Sequence, residues 1–233
     1  MICTVNKEIS FVSNLQRGDL MEQIQLYKYV SKEYDERYYF NGSEENTDIE
    51  KTLTDFIYKY EIRSVLELGC GTGYWLNILY KLGLRNLLGI DGSKYMLSVG
   101  KQKYGKYLKF LKANILKSDF KLGKYDLIMC NYFLSLINFD EIDNLLMKIF
   151  SIDSEYFFII ENTTFDECIN SQTITLTEKW GNKIIDISYF VYRAGELIKK
   201  IENVGYKLIE FTSINEDVVV YIFKKRFKNN KGE

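Results

Sequence analysis

The 233-residue sequence contains no histidine and no proline. Without histidine there is no Ser-His-Asp or Cys-His nucleophilic machinery and no His-x-x-x-His metal helix, and the commonest general base is missing from any mechanism. Proton transfer falls to Tyr, Asp, Glu or Lys. The four cysteines, Cys3, Cys70, Cys130 and Cys168, are too scattered for paired zinc ligands, so the expectation is free thiols and no metal site. No run approaches the roughly 20 apolar residues of a membrane span. The opening Met1-Ile-Cys-Thr-Val-Asn-Lys-Glu8 lacks the charged-then-apolar order of a secretory signal. These absences point to a cytoplasmic protein with no membrane partner. Neither sign of charge dominates: a net charge of -1 and a pI near 5.8 give no overall attraction to nucleic acid. The basic run Lys224-Lys-Arg-Phe-Lys228 reads as part of a solvated tail spanning 225–233.

What is present is an alternating pattern. Leu20, Ile24, Tyr27 and Val30 recur at helical spacing and predict an amphipathic helix from about Asp19 to Tyr34. Thr47-x-x-Glu50 reads as a capping box opening a second helix, with Leu53, Phe56, Ile57 and Tyr60 as its apolar stripe. Residues 1–60 thus form a helical extension ahead of a main domain at 61–224. In that domain Val65 to Leu68, Leu87 to Ile90, Tyr107 to Leu111, Tyr125 to Cys130 and Phe157 to Ile160 are short apolar strands, most of them separated by helices. Near-continuous apolar strands alternating with helices predict a parallel sheet covered on both faces. A helix from Ala194 to Val204 and an antiparallel pair, Lys207 to Thr212 and Val218 to Phe223, complete it. Residues 173–190 alternate at period two on either side of Trp180-Gly-Asn182, which predicts a β-hairpin inserted after the fifth strand. It would rise at the carboxyl ends of the strands, the edge where open α/β sheets bind ligands.

The most specific feature is Val65-Leu-Glu-Leu-Gly-Cys-Gly-Thr-Gly-Tyr-Trp75. An apolar strand ends in an acid two residues before Gly69-x-Gly71-x-Gly73, and a helix follows. Glycines let the backbone turn sharply and approach a ligand closely, and the helix N-terminus presents free N–H groups. A dinucleotide fingerprint would read Gly-x-Gly-x-x-Gly; here the spacing differs, and Glu67 would repel a pyrophosphate while suiting a cationic or zwitterionic end.

The motif resembles the first signature of class I S-adenosylmethionine-dependent methyltransferases, in particular the small-molecule type. That resemblance covers roughly residues 34 to 224. It implies a Rossmann-like, doubly wound, seven-stranded, mostly parallel sheet with an antiparallel edge hairpin. It also implies S-adenosyl-L-methionine as cofactor and S-adenosyl-L-homocysteine as product. Carried onto this chain, Glu67, Gly69, Cys70, Gly71 and Gly73 line the methionine and ribose portion. Asp91, followed by Gly92 at the end of the second strand, accepts bonds from the ribose diol, since one carboxylate can take two hydrogen bonds. Met96 packs against adenine, and Asn114, beside Ile115, stands where the family often has an acid for the adenine amino group. Asn131 and Tyr132 follow the fourth strand, where sulfonium and nucleophile meet in the family.

Related enzymes also carry a Tyr-Asp-x-x-Tyr stretch that folds over the site; here Tyr34, Tyr38 and Tyr39 stand in it. Tyr38, Tyr39, Tyr189, Tyr192 and Arg193 are the expected substrate contacts, and Glu161, Tyr132 and Tyr39 the expected catalytic groups. Glu161-Asn162 faintly resembles the acid-Asn pair of magnesium-dependent catechol methyltransferases, but Cys130-Asn131 supplies no aspartate to match. The missing prolines also remove the Pro-Pro motif of enzymes that methylate exocyclic base amines and the Pro-Cys nucleophile of the cytosine-5 enzymes. The leading expectation is methylation of an oxygen or nitrogen of a small metabolite, such as a sugar or natural-product precursor. RNA or protein methylation and a non-catalytic cofactor-binding module are the alternatives, and oligomeric state stays open.

Overall fold

The computed structural model describes residues 20–40, 43–118, 122–165 and 171–226. Asp19, Cys3, Cys168 and most of the basic tail lie outside the described residues. The chain opens with helix α1 (Leu20–Val30), a short α2 (Tyr34–Tyr38) and α3 (Glu44–Lys59). There follow β1 (Ser64–Leu68), α4 (Tyr74–Lys81), β2 (Asn86–Asp91), α5 (Lys94–Tyr104), β3 (Lys109–Lys112) and β4 (Tyr125–Asn131). After α6 (Ile142–Ser151) and β5 (Ser154–Thr164) come the hairpin strands β6 (Gln172–Trp180) and β7 (Lys183–Arg193), then α7 (Ala194–Asn203), β8 (Tyr206–Ser213) and β9 (Val218–Lys225).

The first five strands pair in parallel in the order β3-β2-β1-β4-β5. β9 then runs antiparallel to β5, and β8 antiparallel to β9, which gives the expected seven-stranded core with its edge hairpin. Successive side chains of a strand face opposite ways, and here both faces are dry. Leu66, Leu68, Ile128, Phe157 and Ile159 pack with α6 and α7 on one side. Val65, Leu127, Met129, Phe158 and Ile160 pack with Ile49, Leu53 and Phe56 of α3 and with α4 on the other. That explains why these strands read as apolar runs without alternation.

The inserted hairpin forms with Gly181 at its turn, at φ 56. β7 bonds in parallel to Thr163 and Thr164, the last residues of β5, so the insert stands at the carboxyl edge of the sheet. Its Trp180, Ile185 and Ile187 join Val30 of α1 in a small third core, against which Tyr34, Tyr38 and Tyr189 pack. α1, α2 and the hairpin are therefore one roof over that edge.

Several expected boundaries move. The first helix stops at Val30, because the Glu33 N–H bonds back to the Val30 carbonyl and tightens the turn; the chain re-enters a helix at Tyr34, and Asp35 there is buried. The capping residue of α3 is Ser43 rather than Thr47: Ser43 Oγ accepts from the Asn46 N–H, and Glu44 and Glu45 sit in the first turn, where the helix dipole favours acids. β3 begins at Lys109, since Tyr107 and Leu108 both donate to the Tyr104 carbonyl in the turn that closes α5.

Candidate active site

The β1–α4 turn is built from three residues in the left-handed region: Gly69 at φ 71, Gly71 at φ 55 and Gly73 at φ 83. A side chain at Gly69 would come within 2.4 Å of the Phe133 ring, so glycine is required there for conformation and for space. The turn is stitched to the end of β2. The N–H groups of Gly69 and Cys70 both donate to the Ile90 carbonyl, and the Gly71 N–H donates to Asp91 Oδ2 at 2.8 Å. Asp91 Oδ1 accepts from the Ser93 N–H at 2.7 Å. Each oxygen thus holds one backbone bond and keeps a further lone pair. Burial pushes the Asp91 carboxyl up to about 6, against the pull of those two N–H groups.

Above this turn lies a cavity that is partly open to solvent. Glu67, Gly69, Cys70, Gly71, Asp91 and Gly92 form its floor. Met96, Asn114 and Ile115 close one end, and Asn131 and Tyr132 the wall beyond β4. Tyr34 and Tyr39 come down from the roof. The sequence expectations that converge here therefore come from β1, β2, β4, α2, α5 and the segment after β3. The described lining residues include two carboxyl groups, Glu67 and Asp91, and no lysine or arginine, so a bound cation would favour the ionised form of both.

Glu67 is 1% exposed, and burial pushes its carboxyl up to about 8, with the Asn131 bond acting downward and the Asp91 charge upward. Its Oε1 accepts from Asn131 Nδ2 at 2.8 Å. Glu67 Oε2 and Asn131 Oδ1 are buried without a hydrogen-bond partner among the described residues. Buried acceptors without donors are rare in folded proteins and cost free energy; a pair of them in a cavity wall marks where a donor-rich ligand belongs. Asn114 is partly committed already, its Oδ1 accepting from the Leu116 N–H at 3.0 Å.

Tyr132 adopts φ 51, outside the region a bulky side chain prefers, immediately after β4. Its N–H is held by the Ile160 carbonyl at 2.7 Å, and its hydroxyl donates to Glu45 Oε1 at 2.9 Å. Burial pushes that phenol well above its ordinary value, and the Glu45 carboxylate adds to the rise. Tyr39 stacks on Tyr74, ring centres 4.0 Å apart.

Other expected residues stand elsewhere. Gly73 caps α4 without lining the cavity. Glu161 is fully buried and does not reach it: Oε2 accepts from the Ser135 N–H at 3.0 Å and Oε1 from the Asn162 N–H at 3.1 Å, and burial raises the carboxyl to about 7. Tyr192 donates to the Ile137 carbonyl inside the core. The Arg193 backbone N–H donates to Ser171 Oγ at the start of α7. Tyr38 donates to Glu178 Oε2 at 3.0 Å, on the hairpin side of α2, and Tyr189 packs in the same roof core. Among the described residues no cluster of metal-ligating side chains occurs, and no helix is long and apolar enough to cross a membrane.

The cavity also recruits residues that sequence reasoning assigned no ligand role: Ile24 and Tyr27 of α1, Trp75, Ala113, Phe133 and Leu136. Ile24 and Tyr27 were visible only as an apolar stripe, and Trp75 lay inside the glycine motif itself. Asp35 was legible only as part of the tyrosine cluster, yet it ties the roof to the floor. It accepts from Thr72 Oγ1 in the glycine turn and pairs with Lys103 of α5 at 2.8 Å.

Residues 65–152 match a family model described as a methyltransferase domain. No curated protein sequence is significantly similar to the chain. Among solved structures, 1,6-didemethyltoxoflavin-N1-methyltransferase of Burkholderia thailandensis, bound to 1,6-didemethyltoxoflavin and S-adenosylhomocysteine, superposes with a TM-score of 0.68 at 14% identity, over 97% of this chain and 99% of its own. The magnesium protoporphyrin IX methyltransferase of Synechocystis, with bound S-adenosylhomocysteine, gives 0.67 at 13% identity, over 89% and 100%. The CcbJ methyltransferase of Streptomyces caelestis gives 0.67 at 17% identity, over 86% and 97%. At these identities the likeness establishes the fold.

Proposed function

We propose that this chain, whose residues 65–152 match a methyltransferase-domain model and whose fold is shared with solved methyltransferases, transfers a methyl group from S-adenosylmethionine to an oxygen or nitrogen of a small molecule. The observation that carries the reading is the pair of buried, unpartnered oxygens, Glu67 Oε2 and Asn131 Oδ1, in a cavity lined by two carboxyl groups and no cationic side chain. They fit an ammonium group. Asp91, with a lone pair left on each oxygen, fits a vicinal diol. Met96 and Ile115 offer an apolar seat for a base, and the Asn114 amide lies at its edge.

When bound, S-adenosylmethionine supplies a methyl group on a cationic sulfur, ready for in-line displacement. This chain's own residues then have three tasks. Tyr34 and Tyr39 cover the cavity and keep water out. The strained turn at Asn131 and Tyr132 positions the reacting partners at the end of β4. Tyr132 would relay a proton for any acceptor that sheds one: its oxygen takes the acceptor's proton as its own hydroxyl proton passes along the existing bond to Glu45 Oε1, which ends as a carboxylic acid. Glu161 is too deeply committed to Ser135 and Asn162 for that task. A small acceptor suits a roofed cavity, and the toxoflavin-precursor and porphyrin enzymes that share the fold act on small molecules.

The test is label transfer from methyl-labelled S-adenosylmethionine to a panel of hydroxylated and amino metabolites, with RNA and protein fractions in parallel. Label in a small-molecule fraction supports the reading. Label in RNA or protein alone would replace it.

A further inference from the structure

Trp75, the second residue of α4, stands in the wall of the same cavity and is 2% exposed. Tyr39 and Tyr74 meet its ring edge-on, with centres 5.8 and 5.2 Å away, so the indole is clamped on the floor side of the roof. Yet its Nε1–H is buried with no acceptor among the described residues. The other indole of the chain, Trp180, is satisfied by Glu178 Oε2 at 3.0 Å. A clamped, buried indole N–H without an acceptor is a donor held ready for something outside the chain.

What it waits for follows from its neighbours. α4 is capped by Gly73, which brings no side chain to the helix start, so the first-turn N–H groups and the positive end of the helix dipole lie beside Trp75. That corner favours an anion. Elsewhere in the same cavity wall, Glu67 Oε2 and Asn131 Oδ1 lack donors. An unpartnered donor next to a positive helix end and unpartnered carboxyl and amide oxygens, all from residues lining one cavity, are the complement of an amino-acid zwitterion.

We propose that the Trp75 Nε1–H donates to the carboxylate of the cofactor's amino-acid end, and that Trp75 is thereby the residue with which the site tells an adenosyl ligand bearing that end from a nucleoside thioether lacking it. The assignment rests on the methyltransferase reading above and adds a specificity-determining residue to it.

Calorimetric titration separates the two. Wild type and Trp75→Phe are each titrated with S-adenosylhomocysteine and with 5′-methylthioadenosine, which keeps the nucleoside and sulfur but has no amino-acid end. The expected result is a loss of about tenfold or more for S-adenosylhomocysteine in the variant, the scale of one hydrogen bond to a charged group, with methylthioadenosine affinity within about twofold of wild type. Retained methylthioadenosine binding also shows that the variant's cavity is folded. Unchanged affinity for both ligands, or an equal loss for both, overturns the proposal while leaving the methyltransferase reading in place. Failure of wild type to bind either ligand overturns the parent reading and this one with it.

A second measurement needs no change at Trp75. The chain has two tryptophans, so a ¹⁵N spectrum holds two indole signals, assignable with Trp180→Phe. S-adenosylhomocysteine should move the Trp75 signal downfield, and methylthioadenosine should not reproduce that shift. Identical shifts with both ligands would contradict the assignment.

Discussion

Asp35 Oδ1 accepts a 2.5 Å hydrogen bond from Thr72 Oγ1 across 37 positions of sequence. Because Asp35 lies in α2 and Thr72 in the glycine turn, this contact fixes the aromatic roof directly to the backbone that floors the cavity, and Lys103 of α5 braces the other oxygen. Asp35 is 1% exposed, and its loss strands the buried Thr72 hydroxyl and leaves the partly exposed Lys103 ammonium without this partner.

Asp35→Ala should therefore loosen the roof: S-adenosylhomocysteine affinity should fall at least tenfold, and stability by about 1–3 kcal/mol, the cost of unmade buried hydrogen bonds. Calorimetry and thermal unfolding on the same preparation check both. An unchanged affinity would mean that the roof closes without this strut.

Asp91→Ala should abolish tight cofactor binding while the protein stays folded. It removes the acceptor of the Gly71 and Ser93 N–H groups as well as the proposed diol contact, so a loss of about 10- to 100-fold in affinity is expected. A circular dichroism spectrum like that of wild type, together with wild-type affinity, would remove the ribose assignment.

Tyr132→Phe and Glu161→Gln should part company. The first keeps the ring at the cavity wall but breaks the bond to Glu45, so cofactor affinity should hold and transfer should slow, about 10²-fold if proton transfer limits the rate. The second disturbs a carboxylate that serves Ser135 and Asn162, so it should lower the melting temperature with little effect on the chemical step. Single-turnover rates beside melting curves distinguish them; the opposite pattern would return the proton-transfer role to Glu161.

The pH dependence of stability has a defined sign. Burial holds the carboxyls of Glu67, Glu161 and Asp91 at about 8, 7 and 6, each above its value in an unfolded chain. The folded state therefore binds more protons than the unfolded one between about pH 4 and pH 8, and the contribution of these groups is complete at the acid end of that window and lost as pH rises through the folded values. Melting midpoints of the ligand-free protein should fall from pH 5.5 to 8.5. S-adenosylhomocysteine should flatten the alkaline part, because an ammonium beside Glu67 favours the carboxylate and releases its proton. A midpoint that climbs over this range without ligand would contradict the burial of these groups.

The features legible from sequence were those enforced by local backbone chemistry. Gly69, Gly71 and Gly73 mark themselves because left-handed residues with crowded surroundings admit little else, and Asp91 is placed by its position at the end of an apolar strand. The inserted hairpin declared its period and its turn. What stayed hidden depends on distant partners. Asp35 acquires its role from Thr72 and Lys103, 37 and 68 positions away. Glu161 reads from sequence as a catalytic acid at a strand end, and only its bonds from the Ser135 and Asn162 N–H groups within a longer β5 mark it as a buried anchor. Trp75 looks like any apolar helix residue until the cavity leaves its N–H without an acceptor.

The most direct test is calorimetric titration of the purified protein with S-adenosylmethionine and S-adenosylhomocysteine, with NAD as control. The account predicts micromolar binding of both adenosyl ligands and none of NAD, since the Gly69 to Gly73 spacing departs from the dinucleotide fingerprint and the cavity offers a pyrophosphate two carboxyl groups and no lysine or arginine. Absence of adenosyl binding, or preference for NAD, would contradict it.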